Sequence, residues 1–138
     1  MLVLACALNG CTPPSPSSST AGASAAPGTA SIASGPGERI YSGNCVPCHQ
    51  QTGKGIPGVY PSLAASPVVL GDPAELTRWV LKGQRSTSMP TGRYAAQMLQ
   101  FGWLKPADAA ALFTYLRSDF GNSAAPVDAA EVANALGP

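Results

Sequence analysis

The sequence predicts an all-α fold, a small helical bundle, and three observations carry that prediction. No run alternates apolar and polar residues as a half-buried strand would. Helix start and stop residues recur in the right order, with proline or aspartate opening a segment and glycine closing it. Between those signals the apolar residues follow the helical period. The chain has 138 residues, enough for one small domain.

Residues 1–11, ending Ala7-Leu8-Asn9-Gly10-Cys11, are apolar. They are too few to span a bilayer. They have the character of the end of a secretory signal without its basic n-region. Leu8-Asn9-Gly10-Cys11 resembles a bacterial lipobox, which predicts Cys11 as a lipidated N-terminus. An ordinary signal peptide cleaved elsewhere is the alternative. Residues 12–35 are almost wholly Ser, Ala, Pro, Gly and Thr, with one Ile. Such a stretch cannot bury enough apolar surface to offset its ordering entropy, so it is predicted to be a disordered tether. Its mean span would be about 25–30 Å.

The folded domain is therefore placed at residues 36–125, with 126–138 as a C-terminal tail. Its first helix begins near Ser34-Gly35-Pro36, with Pro36 in the first turn, and runs into Cys45. A later helix has Asp72 as N-cap, Pro73 at the first helical position and Gly83 past its last turn. Leu76, Trp79 and Val80 fall on one of its faces. The last helix runs from about Pro106 to Phe120 and stops at Gly121. Ala109, Leu112, Phe113 and Leu116 follow its period, with Tyr115 beside them.

Charge excludes little beyond a nucleic-acid footprint, since the formal net charge is only +1. Lys54, Lys82, Arg85 and Arg93 fall in loops or at helix ends. They are able to steer an acidic partner, although ordinary solvation accounts for them equally well.

The chemistry lies in Cys45-Val46-Pro47-Cys48-His49. This is the Cys-x-x-Cys-His attachment sequence of a c-type haem. Cys45 and Cys48 can each bond a haem vinyl group, and His49 is placed to bind the iron from one face. His49 is the only histidine in the chain. Cys-x-x-Cys alone also suits a thiol redox pair or half a zinc site. A zinc site needs further ligands, and the remaining cysteines, Cys6 and Cys11, lie in the leader. A thioredoxin-like pair follows a strand, whereas Glu38–Asn44 reads as a helix.

The sixth iron position requires a second ligand. Met1 is the initiator, so Met98 and Met89 are the candidates. Met98 is favoured because a short loop carries it straight into the last helix. Met89-Pro90 is the alternative, and core packing is the plain role for either side chain.

With Gly58-Val59-Tyr60-Pro61-Ser62-Leu63-Ala64 and Tyr115-Leu116-Arg117-Ser118-Asp119-Phe120-Gly121-Asn122, these motifs resemble those of class I cytochromes c. The stretch from about Gly37 to Gly121 is most similar to the c-type haem domains of bacterial membrane-bound quinoprotein dehydrogenases, such as the alcohol and gluconate dehydrogenase cytochrome subunits. The resemblance implies a small bundle wrapped around one covalent haem c. It implies that the Pro61 carbonyl accepts the His49 Nδ1–H and that Leu63 packs on the haem face. It further implies that Gly37 and Tyr41 lie where the first helix crosses the last, near Tyr115. Trp79 and Trp103 are candidates for a propionate hydrogen bond or for core packing. The chain departs from the family in two ways. Met98 is followed by Leu99 where Met-Pro is usual, and there is one haem motif where related subunits often carry three.

The expected function is single-electron transfer in the periplasm, between a donor such as a dehydrogenase and an acceptor such as an oxidase or another cytochrome. A dedicated subunit of a dehydrogenase complex is the main alternative. A haem sensor or peroxidase with an open sixth site is a further one.

Overall fold

The computed structural model describes residues 35–89 and 94–137. The predicted leader, Cys6, Cys11 and residues 12–34 of the tether lie outside the described residues, as do Pro90 and Arg93.

Helix α1 (Pro36–Asn44) starts with Gly35 in extended conformation and a proline in its first turn. It ends at Cys45, whose backbone N–H bonds the Tyr41 carbonyl at 2.8 Å. A single turn, α2 (Val46–His49), follows at once. The first helix thus runs into the motif as expected, but as two segments broken at Cys45. Helix α3 (Pro67–Leu70) is a short turn that the periodicity did not reveal, capped by the Ser66 hydroxyl. Helix α4 (Pro73–Lys82) has the expected ends: Asp72 accepts from the Ala74 N–H, and Gly83 closes the helix at φ +67°. No helix among the described residues is long and apolar enough to cross a membrane.

Helix α5 (Pro106–Ser118) stops two residues earlier than predicted. The Asp119 carboxylate accepts from the Phe120 N–H at 2.6 Å, and Phe120 adopts φ +57°. Tyr41, Tyr115 and Phe120 then pack ring against ring, with centroids 5.1–5.7 Å apart. That aromatic cluster holds Phe120 in a backbone conformation an L residue rarely takes.

The expected tail is a correction. Residues Ala129–Leu136 form helix α6, opened by an Asp128/Glu131 capping box. It packs on α4 and α5 with Val132 fully buried. Just before it, Thr114 Oγ1 donates to the Val127 carbonyl at 3.1 Å and accepts from its N–H at 3.0 Å. The segment looked like a tail because its helix is only eight residues long and only one of its side chains, Val132, is buried.

The core sits where α1, α4 and α6 meet α5. Gly37 is essential to the α1–α5 crossing: a methyl group there would fall 2.1 Å from the Ala111 carbonyl oxygen. Arg117 on α5 is buried and donates to the Val69, Gly71 and Ala125 carbonyls at 2.7–2.9 Å. One guanidinium thereby ties the end of α3 and the approach to α6 onto α5.

Candidate haem site

Cys45, Cys48 and His49 occupy one helical turn. The N–H groups of Cys48 and His49 both reach the Cys45 carbonyl, at 3.1 and 2.8 Å. Residues at these spacings share a face. Neither cysteine is in a disulfide. Burial, and then the neighbouring Cys48, push the Cys45 thiol up to about 11. The Tyr60 hydroxyl is held above the usual phenol range by its hydrogen bond with Cys48.

His49 is buried, and its Nδ1 lies 3.0 Å from the Pro61 carbonyl. A carbonyl only accepts, so Nδ1 carries the proton. Burial lowers the imidazole pKa, against a smaller opposing effect of the Pro61 bond. The ring is therefore neutral at pH 7, with Nε2 bare and its lone pair available.

Pro61 is presented by a compact turn. The Gly55 N–H bonds the His49 carbonyl at 2.9 Å, and Ile56 and Tyr60 exchange backbone bonds of 3.0 and 2.8 Å. Leu63 follows, half-buried against the core, with its N–H on the Gly53 carbonyl at 2.7 Å. Asn122, just past the end of α5, holds this strip. Its amide donates to the Leu63 and Leu116 carbonyls at 3.1 and 2.7 Å, and its oxygen accepts from the Ala65 N–H at 2.8 Å. Sequence reasoning placed Asn122 in a motif but missed this role. No local signal marks it, because Leu63 and Ala65 are distant in sequence and the fold brings them to Asn122.

Met98 is half-buried beside Trp79, at an open hollow of about 300 Å³. Its loop is joined to the Pro61 turn: the Ala95 and Ala96 N–H groups reach the Gly58 and Val59 carbonyls at 3.1 and 3.3 Å. Met89 belongs to a different cluster. Its N–H bonds the Ser86 carbonyl at 3.2 Å, in a turn whose Ser86, Thr87 and Ser88 hydroxyls all donate to the Glu75 carboxylate. The structure thus brings together Cys45, Cys48, His49, Pro61 and Leu63, and ties the Met98 loop to them. Trp103, considered for core packing, is 65% exposed and touches Phe101 edge-on.

The sequence profile described as Cytochrome c matches residues 34–119. The chain belongs to the cytochrome c family. A cytochrome c-552 of Thermus thermophilus is 31% identical over 101 residues, 70% of this chain and 68% of that protein. The cytochrome c subunit of a quinone alcohol dehydrogenase from Gluconobacter oxydans is 31% identical over 90 residues, 64% of this chain but 19% of its own length. The fold is that of a small all-α class I cytochrome c, with helices and no strand among the described residues. Membership implies one covalently bound haem c and a role in electron transfer. The cytochrome is not in itself an enzyme.

The donor set of this cytochrome fits that group. Two cysteines on one turn, neither in a disulfide, suit the two vinyl groups, and a neutral imidazole with Nε2 bare suits the iron. Thioether sulfur is the other soft donor type, carried among the described residues by Met89 and by Met98, whose loop is tied to the same turn.

Proposed function

We propose that this cytochrome carries single electrons, with Cys45 and Cys48 as the haem anchors, His49 as one iron ligand and Met98 as the other. The observation that carries the reading is the His49 Nδ1 to Pro61 carbonyl bond of 3.0 Å, which leaves Nε2 bare. Haem c supplies an iron that cycles between ferric and ferrous. The residues do the rest. Pro61 fixes the imidazole tautomer and raises its basicity as a ligand. Leu63, held by Asn122, supplies an apolar wall. A methionine opposite a histidine favours the reduced state relative to two histidines and fills the coordination sphere.

Met98 is preferred over Met89 because its loop is bonded to the turn that orients His49, whereas the Met89 N–H bonds Ser86, in a separate turn gathered on Glu75. The ferric absorption spectrum tests this. The weak red band of methionine sulfur on ferric haem should persist in Met89→Leu and vanish in Met98→Leu. The opposite pattern would transfer the ligand to Met89. Absence of the band in the wild type, with ready binding of carbon monoxide, would favour a sensor or peroxidase.

The donor on this reading is a dehydrogenase, and the acceptor is an oxidase or another cytochrome in the periplasm. Similarity to a dehydrogenase cytochrome subunit supports a second version, a dedicated subunit of such a complex. Co-purification with a flavin- or quinone-cofactor protein separates it from a freely exchanging carrier. Cys11 is proposed as a lipid anchor at the membrane surface, on its lipobox-like sequence alone. An unlipidated mature N-terminus in intact-mass measurement would remove that part.

A further inference from the structure

We infer that the turn from Ile56 to Pro61 is a positioning element for both sides of the haem, orienting His49 and restraining the Met98 loop at the same time. The inference rests on the His49/Met98 reading above and deepens it. The turn is closed on itself by the Ile56–Tyr60 bonds and by Val59 N–H to the Ile56 carbonyl at 3.0 Å. It is fastened to the haem motif twice, through Gly55 N–H to the His49 carbonyl and through the Pro61 carbonyl to His49 Nδ1. There is no slack at its start. Gly55 has φ +63°, and a methyl group there would fall 2.3 Å from the Tyr60 carbonyl oxygen.

The same turn offers two further carbonyls. Gly58, at φ +74°, accepts from the Ala95 N–H at 3.1 Å, and Val59 accepts from the Ala96 N–H at 3.3 Å. Beyond Met98, the Phe101 N–H bonds the Val80 carbonyl of α4 at 2.9 Å. Met98 therefore sits between two backbone anchors, one on the His49 turn and one on α4. The sulfur can leave the iron for long only if this short span loosens, and the anchor at Ala95 and Ala96 is the one shared with His49. Opening of the sixth position is thus governed by a turn that touches the opposite ligand.

The test uses the holoprotein and the rate at which ferric haem takes up cyanide, which is limited by departure of methionine. Ala95→Pro deletes one N–H of the anchor. Gly58→Ala strains the turn at φ +74°, with open space where the methyl group would go. Losing one net backbone bond, or holding an alanine at a left-handed φ, corresponds to about a tenfold change in such an equilibrium. Each variant should therefore take up cyanide about tenfold faster, with the covalent haem retained. Gly43→Ala, whose methyl group meets nothing within 4 Å, should match the wild type.

Folded Ala95→Pro and Gly58→Ala proteins with wild-type uptake rates would overturn the inference. Should either variant fail to fold, amide exchange in the wild-type holoprotein decides. Protected Ala95 and Ala96 amides support the shared turn, and exchange at free-peptide rates overturns it. Met98→Leu separates the ligand assignment from the role of the turn. If it fails to accelerate uptake, the ligand assignment fails. If it accelerates uptake while the two turn variants do not, the turn alone fails.

Discussion

At the scale of single residues, the site works by fixing protons and lone pairs. The 3.0 Å contact of His49 Nδ1 with the Pro61 carbonyl decides which imidazole nitrogen is bare, and burial keeps the ring neutral. Asn122 uses all of its amide to hold the strip that presents Leu63. Thr77 does the reverse. It is fully buried on α4, and its hydroxyl has no partner among the described residues. An unsatisfied buried hydroxyl costs free energy that an isosteric methyl group does not. Thr77→Val should therefore stabilise the holoprotein by about 1 kcal/mol in denaturant unfolding. Destabilisation would mean that Thr77 has an essential polar partner in the holoprotein. The sequence displayed the haem motif openly, because its chemistry requires those residue types at that spacing. It hid Asn122 and Thr77, whose roles depend on which backbone groups the fold brings to them.

At the scale of elements, helix ends were legible and a packing helix was not. Asp72, Pro73 and Gly83 bound α4 as their local chemistry requires. Phe120 fell outside α5 because ring packing on Tyr41 and Tyr115 overrode helical continuation. Helix α6 was missed because its evidence is tertiary: Val132 is buried in a helix packed on α4 and α5, and Val127 just before it is buried and bonded to Thr114 of α5. A chain ending at Ala125 should lose about 3 kcal/mol of stability, from the burial of those two side chains. A dispensable tail would leave the unfolding midpoint unchanged. The α1–α5 crossing gives a sharper prediction. Gly37→Ala drives a methyl group into the Ala111 carbonyl, so unfolding free energy should fall by about 3 kcal/mol. A value near that of the parent would show that the helices separate without cost.

At the scale of the whole molecule, the arrangement is a division of labour. The junction of α1 and α2 delivers the cysteines and His49, and the turn after α2 delivers the Pro61 carbonyl. The loop before α5 delivers Met98, and α5 packs against α1, α4 and α6. The fold class was readable because helical periodicity and caps are local properties. The joining of the Met98 loop to the Pro61 turn was not, because two backbone N–H groups meeting two distant carbonyls leave no trace in residue identity. The central claim is that one iron is held between His49 and Met98, and proton NMR of the ferrous holoprotein with isotope-labelled methionine methyl groups tests it most directly. A methionine on the iron lies over the porphyrin, whose ring current shifts its methyl resonance far upfield. One such resonance is expected in the wild type and in Met89→Leu, and none in Met98→Leu. A shifted resonance that survives Met98→Leu, or none in the wild type, would contradict the account.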